Sequence, residues 1–156
     1  MDTKLYEQLA RDEGKSLFAY RDSKGRWTIG IGHLIDMDST IESPRILRIT
    51  EEECQAFFEH DVLIVGYSLR HVFTWDVLRN VLLDGPRWRA LINMSFNRGE
   101  QNMKKSTTIT PAIKAVLTGT GTWEAVSDAI KASPWGAEIK DRGIRLAKQF
   151  ETGVDQ

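Results

Sequence analysis

Asp12-Glu13-Gly14-Lys15-Ser16-Leu17-Phe18-Ala19-Tyr20-Arg21-Asp22-Ser23-Lys24-Gly25-Arg26-Trp27-Thr28-Ile29-Gly30-Ile31-Gly32-His33-Leu34 is the stretch in which the chain changes its periodicity. Residues 3–13 leading into it read as a helix. Leu5, Tyr6, Leu9 and Ala10 fall on one face, and Thr3 stands where a cap is expected. Gly14 ends that helix as a C-terminal glycine does. Beyond it Leu17, Phe18, Tyr20, Trp27, Thr28, Ile29 and Ile31 favour strands, and Ser23-Lys24-Gly25 between them is a turn signal. The reading is a helix followed by a β-hairpin that extends to a small three-stranded sheet.

Working outward, Asp36–Ile49 holds polar residues, Pro44 and no steady period, which describes a loop with room for a short strand. Thr50-Glu51-Glu52-Glu53 is a capping box, a hydroxyl at the cap and a carboxylate three residues on, and its acidic first turn suits the helix dipole. Phe57, Phe58, Val62, Val65 and Leu69 carry that helix to about His71. Only helical signals follow, over Asp76–Leu83, Pro86–Asn97, a helix starting at Thr110-Pro111, Thr122–Ser133 and Ala137–Thr152, the last ending at Gly153. There are no repeats and no low-complexity tract. The expected architecture is α+β and one domain over 1–156. A small N-terminal lobe of helix and hairpin (1–60) is joined by a long helix (50–71) to an all-helical C-terminal lobe (72–156). A cleft between two lobes is where a ligand site is expected.

Hydrophobic residues are 41% and charged residues 28% of the chain, ordinary for a soluble globular protein. No apolar run approaches the ~18 residues of a membrane span, so no stable membrane association is expected. The polar start, Met1-Asp2-Thr3-Lys4-Leu5-Tyr6-Glu7, is unlike a secretory signal, and synthesis in the cytoplasm is the expectation. A single cysteine, Cys54, allows no internal disulfide and fits a reducing compartment. Residues 1–60 carry 8 Lys and Arg against 12 Asp and Glu, whereas residues 61–156 carry 13 against 10. A basic second half would attract an anionic polymer such as a bacterial wall. Nucleic acid would require a denser basic patch, and is not expected as a partner.

Two carboxylates dominate the candidate chemistry. Glu13 ends the first helix, and Asp22 stands nine residues later at the hairpin turn. A helix terminus and a hairpin that folds back can bring both to one place. Glycoside hydrolysis needs such a pair, one acid to protonate the leaving oxygen and one carboxylate to guide water or offset positive charge. The acid must keep its proton near neutral pH, which partial burial favours, while the other must stay ionised. Spacing alone does not decide the matter, because most carboxylates are solvated surface groups. Gly30 and Gly32 lack the third glycine and the following helix of a phosphate loop, and are read as points of close backbone approach. His33, Asp36 and Asp38 find no matching cluster in His60 or His71, so no metal is expected. Cys54 has no histidine motif beside it and is read as a structural thiol. No Gly-x-Ser-x-Gly elbow is present.

The run Asp12-Glu13-Gly14, then Leu17, Tyr20, Asp22, Gly25 and Thr28-Ile29-Gly30-Ile31-Gly32-His33-Leu34, resembles the signature of the T-even phage lysozyme family, glycoside hydrolase family 24. The resemblance continues through Thr50–Asp61 and Ala90-Leu91-Ile92-Asn93-Met94-Ser95-Phe96-Asn97-Arg98-Gly99, and more weakly through Ser133–Trp135 and Arg142–Gly153. It implies a lysozyme-like fold and an endolysin without cofactor. The implied reaction is hydrolysis of the β-1,4 bond between N-acetylmuramic acid and N-acetylglucosamine in peptidoglycan glycan strands, with inversion. Residue by residue, Glu13 matches the proton donor, Asp22 the second carboxylate and Thr28 the hydroxyl that holds the attacking water. Leu34 and Phe96 match cleft positions, and Asn97 and Trp135 a substrate-contacting pair. The resemblance also pairs His33 with Asp61 on the long helix, and sets Arg142 against the acid-bearing helix end through Asp12 or Glu13. It implies a monomer that reaches the wall or periplasm after a membrane lesion of the kind a holin makes.

The match departs between Leu34 and Thr50, where this chain is shorter than the T-even enzymes. It departs again at Ala129, where the family has a glycan-binding asparagine, and around Lys104–Pro111, where the alignment slips. Two other readings compete. A lytic transglycosylase cleaves the same bond with one glutamate and no positioned second acid, so Asp22 and Thr28 argue against it. A non-catalytic peptidoglycan-binding or virion module would leave the acid pair without purpose.

Overall fold

A computed structural model describes residues 2–35, 47–75, 78 and 84–156, and divides the chain into two compact units, Met1–Ile64 and Val65–Gln156. The first unit opens with α1 (Thr3–Glu13). Asp2 caps it, its carboxylate accepting the Leu5 amide at 3.1 Å, so Thr3 is the first helical residue instead of the cap. Leu5 and Leu9, four apart, are its buried face. Gly14 follows at φ +80°, a backbone that only glycine adopts freely, and lets the chain turn directly into a sheet.

That sheet has three antiparallel strands in sequence order, β1 (Ser16–Arg21), β2 (Trp27–Gly30) and β3 (His33–Leu34), with β2 central. The register sets Tyr20 opposite Thr28 and Thr28 opposite Leu34. Directly opposed residues share a face, so Tyr20, Thr28 and Leu34 form one row across the sheet. Ile29 opposes His33 on the other face. The chain before α2 (Glu51–Val72) returns along β1: the Ala19 amide donates to Leu47, the Ile49 amide to Leu17, and Arg48 bridges Phe18. Residues 36–46 of the expected loop lie outside the described residues. The capping box forms as read. The Thr50 amide donates to Glu53 Oε2 at 2.8 Å, and the Glu53 amide donates to Thr50 Oγ1 at 3.2 Å.

Leu5, Leu9, Ile29, Ile31, Ile49, Cys54 and Phe58 make the core of this unit, with Tyr6 set edge-on to Phe58 at 5.0 Å. A Cβ on Gly30 would stand at an ordinary 3.4 Å from Cys54 Sγ, and it is the backbone φ of +64° that calls for glycine there. Burial pushes the Cys54 thiol up, consistent with a packing role.

The second unit is helical. The expected helix over 76–83 lies outside the described residues apart from Leu78. Next come α3 (Gly85–Lys104), capped by Asp84 and interrupted at Gly99, and α4 (Ile109–Leu117), which starts two residues before Pro111 instead of at it. Then α5 (Trp123–Lys131) is capped by Thr122. The single helix expected from Ala137 to Thr152 is two, α6 (Pro134–Glu138) and α7 (Asp141–Thr152), because Lys140 takes φ +48° and breaks the run. A Cβ on Gly143 would lie 2.5 Å from the Gly136 carbonyl oxygen, so α6 and α7 meet backbone to backbone. Leu91, Met94, Ile113, Val126, Ile130, Leu146 and Phe150 fill the core. Trp123 stacks on Phe150, the Arg87 guanidinium lies over the Trp123 ring at 4.8 Å, and Arg87 Nε donates to the Phe150 carbonyl at 2.7 Å. The α+β fold expected from the sequence is the one observed.

Candidate active site

Glu13 is the last residue of α1 and half-buried. Asp22 is the first residue of the hairpin loop and builds it. Its main-chain amide donates to the Arg26 carbonyl at 2.9 Å, and its own carbonyl accepts the Gly25 amide at 2.9 Å. Its side chain closes the turn, Oδ1 accepting the Lys24 amide at 2.8 Å and the Arg26 amide at 2.9 Å. Oδ2 accepts from the Arg26 guanidinium, Nε at 2.8 Å and Nη2 at 2.6 Å. Four donors therefore occupy a carboxylate with about four acceptor positions. The Arg26 side chain, followed by the turn amides, holds the Asp22 carboxyl down at about 2. Asp22 is thus an anion throughout the range in which ordinary carboxylates titrate.

The charges of both carboxylates reach Tyr20. Burial, and after it the charges of Glu13 and Asp22, push the Tyr20 phenol above its ordinary value. Tyr20 faces Thr28 across the strand pair. Thr28 is buried, and its hydroxyl donates to the Arg26 carbonyl at 3.2 Å. Leu34 completes the row. One helix end, one turn and one sheet face thereby carry Glu13, Asp22 and the row Tyr20, Thr28 and Leu34. Tyr20 and Arg26 were not singled out as site residues in the sequence. The signals for them were the hairpin register, which sets Tyr20 against Thr28, and the four-residue spacing across the turn from Asp22 to Arg26.

His33 and Asp61 are paired as expected, Nδ1 standing 2.9 Å from Oδ2 and 3.1 Å from Oδ1. The imidazole also stacks on Phe57, ring centres 4.3 Å apart, so the pair fastens β3 to α2. Both side chains are mostly shielded, at 23% and 18% exposure. Replacing either by asparagine is expected to lower unfolding free energy by about 1–2 kcal/mol, the worth of a shielded charge-assisted bond. Urea denaturation checks this, and unchanged midpoints in both variants would contradict it.

The remaining expected residues lie in the second unit. Trp135 Nε1 donates to Asn97 Oδ1 at 2.9 Å, so those two come together, and the Arg98 guanidinium lies 4.7 Å over the Trp135 ring. Phe96 precedes them on α3, half-buried. Arg142 is buried and donates to Asn93, Nε to Oδ1 at 2.9 Å and Nη2 to the carbonyl at 3.0 Å. Among the described residues no cluster of three or more His, Cys, Asp or Glu could hold a metal ion, and no helix is long and apolar enough to cross a membrane.

A helix that delivers a glutamate to an antiparallel hairpin, followed by a helical unit, defines an α+β protein of the lysozyme-like class. The profile of the phage lysozyme family matches residues 10–135, and the chain belongs to that family. It is 30% identical to probable T4-type lysozyme 2 of Dictyostelium discoideum, over 99% of this chain and 97% of that protein. It is 31% identical to the pre-baseplate central spike protein Gp5 of Enterobacteria phage T4, over 96% of this chain and 28% of that much longer protein. It is 30% identical to the endolysin of Salmonella phage P22 over 65% of each. Its function is accordingly of the lysozyme type, that of a glycoside hydrolase.

Proposed function

We propose that this protein hydrolyses the β-1,4 bond between N-acetylmuramic acid and N-acetylglucosamine in bacterial peptidoglycan, with Glu13 as general acid. The observation that carries the reading is the hairpin turn that holds Asp22 against Arg26, directly after the helix that ends in Glu13, with Tyr20 opposite Thr28 in the strand pair and the charges of both acids acting on that tyrosine. Glu13 gives its proton to the glycosidic oxygen as the bond to the sugar breaks. Asp22, fixed as an anion, offsets the positive charge that grows on the ring. Water adds at the anomeric carbon from the opposite face, oriented by the Thr28 hydroxyl, and the product is inverted. A carboxylate held at about 2 is a weak base. The proton of the water is therefore released to solvent after the bond forms, and Glu13 is reprotonated from solvent.

Leu34, Phe96, Asn97 and Trp135 are assigned to glycan contacts. The protein acts as an endolysin, a monomer made in the cytoplasm that meets the wall once a holin or similar lesion opens the membrane. Mass spectrometry of the fragments released from purified peptidoglycan tests the reaction. The expected fragments end in hydrated, reducing muramic acid. Anhydromuramic ends would replace the reading with a transglycosylase, and binding to walls without release of fragments would replace it with a non-catalytic module.

A further inference from the structure

We propose that Arg26 is a positioning residue that makes Asp22 a fixed, oriented anion for the reaction rather than a base. The inference rests on the reading of Asp22 given under Proposed function, and on geometry the turn supplies. The two main-chain amides of Lys24 and Arg26 take Oδ1, and two nitrogens of one guanidinium take Oδ2. The amides are set by the loop itself, as in any turn closed by an aspartate, and an asparagine oxygen would satisfy them equally. The guanidinium interaction requires the negative charge. Nothing in forming the turn calls for it.

Oδ1 is thus the turn-forming oxygen and Oδ2 the charged one, and Arg26 decides how Oδ2 behaves. Two nitrogens on one oxygen fix the carboxylate plane and remove freedom about the Cβ–Cγ bond. They also hold the group ionised when protons become plentiful. The other groups around Asp22 act in the opposite direction or elsewhere. Glu13 from α1 and Asp22 both act on the Tyr20 phenol of β1, and desolvation of the Asp22 carboxyl opposes its ionisation. Arg21 directs its guanidinium to the Gly25 carbonyl and the Trp27 ring, and Lys24 meets Asp22 through its amide. Arg26 is the cation in direct contact. An acid and a second carboxylate must hold different protonation states to do different work. Arg26 supplies that difference on the Asp22 side.

The test compares wild type with Arg26→Met and Arg26→Lys, following the Asp22 carboxyl carbon by NMR titration and, in parallel, peptidoglycan clearing against pH. In wild type Asp22 is expected to titrate at about 2. In Arg26→Met its titration moves up toward the ordinary carboxylate value. Clearing by Arg26→Met then begins to fall at a higher pH than in wild type as Asp22 takes up its proton, while wild type stays flat between about pH 6 and about pH 4. Arg26→Lys restores part of both shifts, which a merely structural role for Arg26 would not produce. An Asp22 titration unmoved by Arg26→Met overturns the inference and leaves the reading of the reaction intact. So does clearing that rises in Arg26→Met, since Arg26 would then be a competitor for Oδ2. A titration that moves while the clearing profile does not overturns the assigned role of Asp22 itself, and the role of Arg26 with it.

Discussion

Asp22→Asn is expected to reduce peptidoglycan clearing by about two to four orders of magnitude, while the protein folds normally. The substitution separates two duties that one side chain performs. An asparagine oxygen accepts the Lys24 and Arg26 amides as Oδ1 does, so the hairpin turn survives. The charge is lost, and with it the anion proposed to offset the developing positive charge on the sugar. Asp22→Ala removes both, and its denaturation midpoint should fall below that of Asp22→Asn. Clearing assays and urea melts on the two variants check this together. An Asp22→Asn protein that clears walls at the wild-type rate would reduce Asp22 to a turn former.

The parts of this fold that could be read from the sequence were those governed by local chemistry. The Thr50–Glu53 box, the glycine stop after Glu13 and the apolar faces of α1 and α2 are each set by residues within one or two turns of one another. Errors arose where a tertiary contact or a neighbouring residue outweighed that local signal. Asp2 took the cap from Thr3, since both precede the same apolar face and Asp2 reaches the Leu5 amide. The C-terminal run looked continuous because its apolar period is continuous. Its break at Lys140 accompanies the backbone contact of Gly136 with Gly143, which no periodicity reports.

The site was legible to a similar depth. Glu13, Asp22 and Thr28 carry chemistry in their residue types, and the resemblance gave them their order. Which donor each oxygen of Asp22 meets depends on the turn that brings Arg26 back to it, and the pairing of Tyr20 with Thr28 depends on strand register. An arginine four residues from an aspartate reads as a solvated surface pair until the turn between them is known. A tyrosine in a strand reads as a packing residue until its partner across the ladder is a threonine beside two carboxylates.

The second large effect belongs to Glu13. Glutamine preserves the size of the side chain and its place at the end of α1, and removes only the transferable proton. If Glu13 is the acid, the leaving sugar must depart with its negative charge uncompensated, and the reaction slows by about 10²–10⁴-fold or more. Asp22 cannot substitute, since a carboxyl held at about 2 carries no proton near neutral pH. The same variant should still bind walls, because the residues assigned to glycan contact are untouched. The decisive measurement is therefore the rate of clearing of purified peptidoglycan by wild type and Glu13→Gln at matched fold content, verified by circular dichroism. The account predicts clearing lost in the variant with wall binding retained. Clearing that survives the substitution would contradict it.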